Sequence, residues 1–316
     1  MRIVVLGAGG RYKTETAIAH AARSLGHRCR QINSVRWWRL LGRSSGPIVR
    51  RLVDAFDPEF VLVTRHAILA GEDAIRAAIK SRRAAFWYFD SQPRPAVLSL
   101  GRLVGRMFIT SPSQISQYRQ AGIPSVGFLP QGVDPVLDRP SPSAPRRFAC
   151  DVSFIGSGQY PHRYDVLRAV ANVCKLQIRG PGWKGAPSDL PVAGGRVRGP
   201  TFARAVRAAA ISLGANALPS QDRDRASASN RMWKVLGCGG FFLGPYTEGI
   251  DALAEDRRHC AWYRDIPDAV RLVRHYLAAS DERAAIATAG RRHALTHHTY
   301  AHRLELLLND RSYELT

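Results

Sequence analysis

The hydrophobic pattern divides the chain into short buried strands, each followed by an amphipathic stretch of helical period. Ile3 to Leu6 is a continuous apolar run ending in Gly7-Ala-Gly-Gly10, and Thr14 to Leu25 then carries its apolar residues on one helical face until Gly26 stops it. The alternation returns with a strand from Phe60 to Val63, a helix from Gly71 to Ser81 and a strand from Ala84 to Phe89. It continues with a strand from Arg106 to Thr110, a helix from Ser113 to Ala121 opened by Ser-Pro, and a strand from Ser125 to Leu129. Such alternation predicts a parallel sheet.

Arg139-Pro-Ser-Pro-Ser-Ala-Pro145 is the one Pro/Ser-rich tract, and residues 139–147 read as a linker. Asp151 to Ile155 then restarts the grammar: a buried strand, a Gly156-Ser-Gly158 turn, and Pro161-His-Arg-Tyr164 leading a helix to about Val173. Residues 227–249 read as helix, tight turn, strand and loop. Ser227 or Ser229 can cap the helix, Met232, Trp233, Val235 and Leu236 bury one face, Gly239-Gly240 stops it, and Phe241 to Leu243 follows as a strand. The expected fold class is α/β, with two Rossmann-like doubly wound domains facing a central cleft: residues 1–138 and 148–295, with 296–316 as a last helix packing back on the first domain. A chain of 316 residues holds two domains of ordinary size.

Composition narrows the class. Hydrophobic content is 45%, and no run approaches the roughly 18 uninterrupted apolar residues of a membrane span. The N-terminal run is too short for a signal peptide and reads as a first strand, so a cytoplasmic location is expected. Cys29, Cys150, Cys174, Cys238 and Cys260 are odd in number and widely spaced, which suits reduced, buried thiols better than a disulfide framework or a metal knuckle. Lys and Arg number 46 against 25 Asp and Glu, a net charge of +21. That balance favours anionic partners: nucleic acid, an acidic membrane surface, or phosphorylated substrates. The cations are spread along the chain and no zinc-finger, basic-zipper or RNA-binding signature accompanies them, which leaves nucleic acid the least favoured. Trp37, Trp38 and the arginines from Arg36 to Arg51 form a basic aromatic segment of helical character, either a peripheral contact with an anionic membrane or a solvated helix with a packed Trp.

Candidate chemistry collects at strand ends and at one helix start. The G-x-G-G cluster lacks the third glycine of a dinucleotide fingerprint, and Gln31-Ile-Asn33 supplies no acid where the ribose would be held, so no nicotinamide or flavin cofactor is expected. Asp90 and His66 follow strands and could each serve as a general base on an acceptor hydroxyl, or as a loop-capping Asp and a surface His. The helix at 230 presents N–H groups and positive dipole at its start. Asn230 and Arg231 in its first turn add donors suited to a diphosphate, though one more ordinary αβ unit fits the same residues. Gly156, Ser157 and Arg163 join them as candidate phosphate ligands. Lys234 contacts a phosphate or snorkels, and Glu248-Gly249 holds a sugar or ribose or is a plain loop. Arg179-Gly-Pro-Gly-Trp183 flanks a base or is an ordinary turn. His293/His297 and His298/His302 have i,i+4 spacing but lack the further ligands that would complete a metal site, so none is expected.

Leu129-Pro-Gln-Gly-Val-Asp134 resembles the element that closes the first domain of many GT-B glycosyltransferases. Val152-Ser-Phe-Ile-Gly-Ser157 with Arg163, Asn230-Arg-Met-Trp-Lys-Val-Leu-Gly-Cys-Gly240, and the stretch from Leu277 to Arg303 that includes Glu282-Arg283, Gly290 and His298-Thr-Tyr-Ala-His-Arg303 resemble the CgeB-like branch of that superfamily. The resemblance covers about residues 150–309 and reaches the first half through Trp87-Tyr-Phe-Asp90. It implies a transferase that takes a sugar from a nucleoside diphosphate sugar donor to an unidentified acceptor, with cleft closure and no metal or further cofactor, the leaving diphosphate being neutralised by basic side chains and helix starts. Asn230 and Arg231 then lie on the donor-phosphate helix. The chain departs from retaining members at two places: where they carry two glutamates separated by seven residues, it has Ala226 and Lys234, so ribose recognition and stereochemistry do not carry over. A catalytically silent nucleotide-sugar-binding protein of the same fold is the alternative, and a nucleic-acid-binding protein the second.

Overall fold

The computed structural model describes residues 1–90, 93–215 and 226–315. The chain forms two compact units. Unit 1 joins Met1–Gln131 to the returning segment Tyr300–Glu314, and unit 2 spans Gly132–Thr299. The Pro/Ser tract 139–145 therefore groups with unit 2.

Unit 1 is built on strands β1 (Arg2–Gly7), β2 (Arg28–Asn33), β3 (Phe60–Thr64), β4 (Arg83–Tyr88), β5 (Arg106–Ile109) and β6 (Ser125–Phe128), all parallel, in the order β2-β1-β3-β4-β5-β6. Its helices are α1 (Thr14–Ser24), α2 (Ser34–Leu41), α3 (Ser45–Asp54), α4 (Glu72–Ile79), α5 (Pro95–Val104) and α6 (Ile115–Gln120). Side chains alternate across the sheet: Val4, Leu6, Val61 and Val63 enter one apolar layer, and Ile3, Val5, Phe60 and Leu62 the other. Both layers are closed by helices, which is why these strands read as unbroken apolar runs.

Unit 2 repeats the plan with β7 (Cys150–Ile155), β8 (Leu176–Arg179), β9 (Val192–Gly194), β10 (Ala209–Leu213), β11 (Phe242–Pro245) and β12 (Ala261–Tyr263), in the order β9-β8-β7-β10-β11-β12. Its helices are α7 (Tyr164–Ala171), α8 (Pro200–Ala208), α9 (Asn230–Gly237), α10 (Ile266–Ala278) and α11 (Ser280–His297). The last helix, α12 (Tyr300–Leu308), belongs to unit 1: Tyr300, Leu304 and Leu307 join Ile3, Val5, Ile18 and Trp87 in one layer, and Arg303 Nε donates to the Pro130 carbonyl at 3.0 Å.

The orders differ in one respect that positions the chemistry. In unit 1 the winding reverses between β1 and β3; in unit 2 it reverses between β7 and β10. Open α/β sheets leave a crevice at the carboxyl ends of the two strands flanking such a reversal, because the connections leave on opposite faces there.

Two local departures from the sequence pattern have simple causes. The basic aromatic segment is two helices, because Gly42 takes φ +54 and ends α2 before α3 begins. Helix α5, where no element was expected, starts at Pro95, and its interior Gly101 fits under Ile123: a Cβ there would come within 2.5 Å of the Ile123 side chain.

Candidate functional site

The crevice of unit 2 is formed at the end of β7, where the chain passes through Gly156 and Ser157. Arg231, in the first turn of α9, reaches over this turn. Its Nε donates to the Ile155 carbonyl and its guanidinium carbon lies 4.5 Å from the centre of the Phe154 ring. A Cβ at residue 156 would stand 2.4 Å from Arg231 Nη2 and 2.7 Å from the Phe154 ring, so glycine is required there for the guanidinium to lie across the turn. Arg163 approaches from the other side. Its Nη1 donates to the Ser157 carbonyl at 2.9 Å, and its guanidinium carbon is 4.4 Å from the Tyr160 ring and 5.9 Å from the Phe154 ring. Gly156, Ser157, Arg163 and Arg231 are thus brought together, with two guanidinium groups on one aromatic ring.

Electrostatically this is a cationic pocket. Burial, slightly offset by Tyr160 and Tyr263, pulls the Arg163 guanidinium down to about 10. Burial, and then the charge of Arg163, pulls Arg231 down to about 9. Both groups stay charged near neutral pH, and the charge of an arriving anion would favour their charged forms and offset both shifts. Two polar atoms here are shielded from solvent without a hydrogen-bond partner: Nη1 of Arg231 and Oδ1 of Asn230. Buried polar atoms are nearly always paired, so adjacent orphans on one helix start mark a place for a ligand. Flipping the Asn230 amide would exchange acceptor for donor at that place. Ser229 holds the cap position of α9 at φ −70, ψ 145, but its side chain makes no capping bond, contrary to the expected serine cap. The helix start therefore has no side-chain cap of its own to compete with an anion.

The other sequence candidates of unit 2 fall elsewhere or act indirectly. Lys234, one turn along α9, places Nζ 3.0 Å from Oδ1 of the buried Asp138. That ion pair engages the amine and is a structural alternative to a phosphate contact. Glu248 is exposed, and its carbonyl accepts from Ala226 N at 2.7 Å, while the neighbouring Thr247 Oγ1 accepts from Ser227 N at 3.2 Å. Gly249, at φ +75, turns the chain behind them. The Glu248–Gly249 loop thus braces the approach to α9, with Ala226 held at φ +48, a conformation unfavourable for a residue with a Cβ. The Arg179–Trp183 loop braces the Gly156 turn: Gly158 N donates to the Pro181 carbonyl and Trp183 Nε1 to the Gly156 carbonyl, at 2.9 and 3.0 Å. The histidines form an array: His293 stacks on His259 at 3.9 Å, and its Nε2 is 3.0 Å from both the Leu253 carbonyl and His298 Nε2.

In unit 1 the crevice between β1 and β3 holds a chain of ionisable groups. His66 Nδ1 is 3.7 Å from Oε1 of Glu15, and Arg65 Nη2 is 3.4 Å from His66 Nε2. Arg65 also makes an ion pair with Asp90. The sequence singled out His66 and Asp90 but missed Glu15. Its carboxylate is buried at the start of α1 and accepts from Ala8 N at 3.1 Å and Thr64 Oγ1 at 3.0 Å. Burial alone would raise its pKa, but the hydrogen bonds from His66, backbone amides and Thr64 outweigh it and hold the carboxyl below its ordinary value. A Cβ at Gly7 would lie 1.9 Å from Thr64 Oγ1 and 3.2 Å from Glu15 Oε1, so this group too is packed against a glycine. The geometry sets His66 Nδ1 towards the Glu15 carboxylate and Nε2 towards the Arg65 guanidinium.

Comparison with known proteins now has both crevices to explain. Residues 163–309 match the glycosyl transferase-like family model. That glycosyl transferase-like segment begins at Arg163 and contains the whole of α9. No curated protein sequence matches the chain. Among solved structures, HepE of Anabaena in complex with UDP and glucose is 13% identical, with a TM-score of 0.66 over 98% of this chain and 99% of that one. Sucrose-phosphate synthase from Thermosynechococcus elongatus is 10% identical at a TM-score of 0.65, covering 98% of each chain. An alpha-glucosyltransferase in complex with UDP and a 13-mer DNA containing a central A:G mismatch is 13% identical at a TM-score of 0.69, over 98% of this chain and 99% of that one. At these identities the likeness is one of fold, and the fold is GT-B.

Proposed function

We propose that the protein is a glycosyltransferase that moves a sugar from a nucleoside diphosphate sugar to an acceptor, with the donor held by unit 2. The observation that carries this reading is the buried, unpartnered Arg231 Nη1 beside Asn230 Oδ1, in a cationic pocket where a Rossmann-ordered sheet reverses its winding. The match of residues 163–309 and the UDP and UDP-glucose bound to HepE support a diphosphate there and make UDP the first nucleotide to test. Affiliation with the CgeB-like branch rests on Asn230 to Gly240 and the C-terminal signature.

In the proposed reaction Arg163 and Arg231 neutralise the negative charge that grows on the diphosphate as the bond to the anomeric carbon breaks, which is the largest electrostatic task of the transfer. Fixed guanidinium groups do this without a metal, so activity should survive chelator treatment. His66, held by Glu15, takes the proton from the acceptor hydroxyl as its oxygen bonds to the anomeric carbon. Asp90, tied to Arg65, orients that charge chain rather than acting as the base. A base in this role fits single displacement with inversion, which NMR of the product anomer decides. The test of the donor site is calorimetry with UDP: Arg231→Ala should weaken the binding of the native protein by about ten- to a hundredfold, and unchanged affinity would sink the assignment.

A silent nucleotide-sugar-binding protein is the second reading, favoured by Ala226 and Lys234 standing where retaining relatives place their glutamates. Donor hydrolysis over UDP-, GDP- and dTDP-sugars separates the two, since only an enzyme turns the donor over. The net charge of +21 and the DNA bound to one fold relative keep a nucleic-acid partner in view; it requires retention on DNA that falls steeply with salt.

A further inference from the structure

We propose that α2 and the segment leading into α3 form a peripheral docking surface for an anionic lipid bilayer. Helix α2 buries Ser34 and tucks Trp37 against the core of unit 1, which turns Trp38, Leu40 and Leu41 outward at 38, 62 and 42% exposure. The other exposed large apolar side chains among the described residues are scattered singly along the chain. Arg36 and Arg39 lie on the same helix, Arg43, Arg50 and Arg51 follow in sequence, and no Asp or Glu occurs from residue 34 to residue 53. Arg50 pairs with Asp54 at 3.6 Å, whereas Arg39, Arg43 and Arg51 make no ion pair among the described residues.

The chemistry selects the partner. Exposed aliphatic side chains gain free energy by entering hydrocarbon, and long cationic side chains beside them reach the headgroup phosphates while their stems stay apolar. A nucleic acid would draw on the arginines and on Trp38 but gains nothing from Leu40 and Leu41, since base stacking needs flat rings. A protein partner needs about 800 Å² from each side, more than one short helix presents. Arg43, Arg50 and Arg51 also line a recess of about 650 Å³, but its other wall carries Asp54, Glu72 and Asp73. Those acids repel an anion, so the docking face is the outer side of α2 and not the recess. The proposal does not depend on the transferase reading.

The experiment is co-sedimentation of the full chain with vesicles of equal parts phosphatidylglycerol and phosphatidylcholine, and with vesicles of phosphatidylcholine alone. Binding to the anionic vesicles only is expected, weakening with salt. Each arginine removed in Arg36→Gln and Arg39→Gln should cost about fivefold in partitioning. The triple change Trp38→Ser, Leu40→Ser, Leu41→Ser should cost roughly tenfold or more. All positions are exposed, so unchanged melting temperatures verify folding. Brominated acyl chains should quench tryptophan fluorescence in the native protein and do so less in Trp38→Phe. Absent binding, equal binding to both vesicles, binding indifferent to the triple change, or quenching unaltered by Trp38→Phe each overturns the proposal. Retention on duplex DNA that is lost in the arginine variants, with no vesicle binding, would replace it with a nucleic-acid surface.

Discussion

The two crevices sit at equivalent places in two parallel sheets and are filled in opposite ways. In unit 1, Glu15, His66, Arg65 and Asp90 satisfy one another in a continuous chain of contacts. In unit 2, Arg231 and Asn230 each keep a buried atom with no partner, and the neighbouring charge is of the same sign. A carboxylate beside an imidazole can hold a proton without a ligand. A buried guanidinium nitrogen without a partner, as at Arg231 Nη1, is costly until an anion arrives. The contrast sharpens the proposed division of labour, in which the first crevice would handle protons and the second phosphate.

The sharpest way to break this proposed division is to remove the imidazole assigned as proton acceptor. His66→Ala should lower kcat by roughly 10²–10⁴-fold while leaving the calorimetric affinity for UDP as it was. Equal loss of both would mean that the first crevice takes part in donor binding. Next in size, Arg231→Ala should weaken UDP by about ten- to a hundredfold, the worth of a charge-assisted hydrogen bond in a buried site, and Arg231→Lys should recover only part of it because a single ammonium cannot bridge two oxygens.

The glycines give a matched pair. Gly156→Ala puts a methyl group 2.4 Å from Arg231 Nη2 and must displace the guanidinium, so donor affinity should fall while kcat at saturation changes little. Gly7→Ala puts one 1.9 Å from Thr64 Oγ1, which shares Glu15 with His66, so kcat should fall by about tenfold with donor affinity kept. Steady-state kinetics with UDP calorimetry reads both. If each variant moved the same parameter, the two crevices would not be functionally separate.

How much of this was legible in the sequence follows from how local each signal is. Strands β1, β3, β4, β5 and β7 are buried on both faces and announce themselves as apolar runs. Strand β2, Arg28 to Asn33, lies at a sheet edge and buries only Ile32, so its pattern carries little information. Helix α9 was legible as a candidate site because Asn230 and Arg231 follow one another at a helix start. Glu15 was not: an acid in a first turn reads as a response to the helix dipole, and its partner Thr64 is 49 residues away. Lys234 likewise looked available for phosphate because Asp138, its partner, lies 96 residues before it. Local pattern shows where a side chain can point; the non-local partner decides whether it is already engaged.

The smallest effect separates the units by acid. The stacked imidazoles of unit 2 are disfavoured as cations: burial, and then the charge of His293, pushes His259 down from 6.5 to about 4, and burial lowers His293 as well. The unfolded chain therefore binds more protons than the folded one across that interval, and stability falls as pH drops from 6.5 to about 4, with no further loss from His259 below it. Glu15 in unit 1 works in the other window. Its folded pKa lies below the ordinary 4.5, so its contribution is present above 4.5 and lost only as pH falls through the folded value. Between about pH 6.5 and pH 5, then, unit 2 should soften while the Glu15 contribution to unit 1 holds. Thermal melting of the native chain, His259→Gln and Glu15→Gln across this range reads the difference. His259→Gln should flatten the loss, because the glutamine takes up no proton on unfolding, and Glu15→Gln should leave its slope as it was. A loss that His259→Gln does not alter would place the acid sensitivity outside the histidine array.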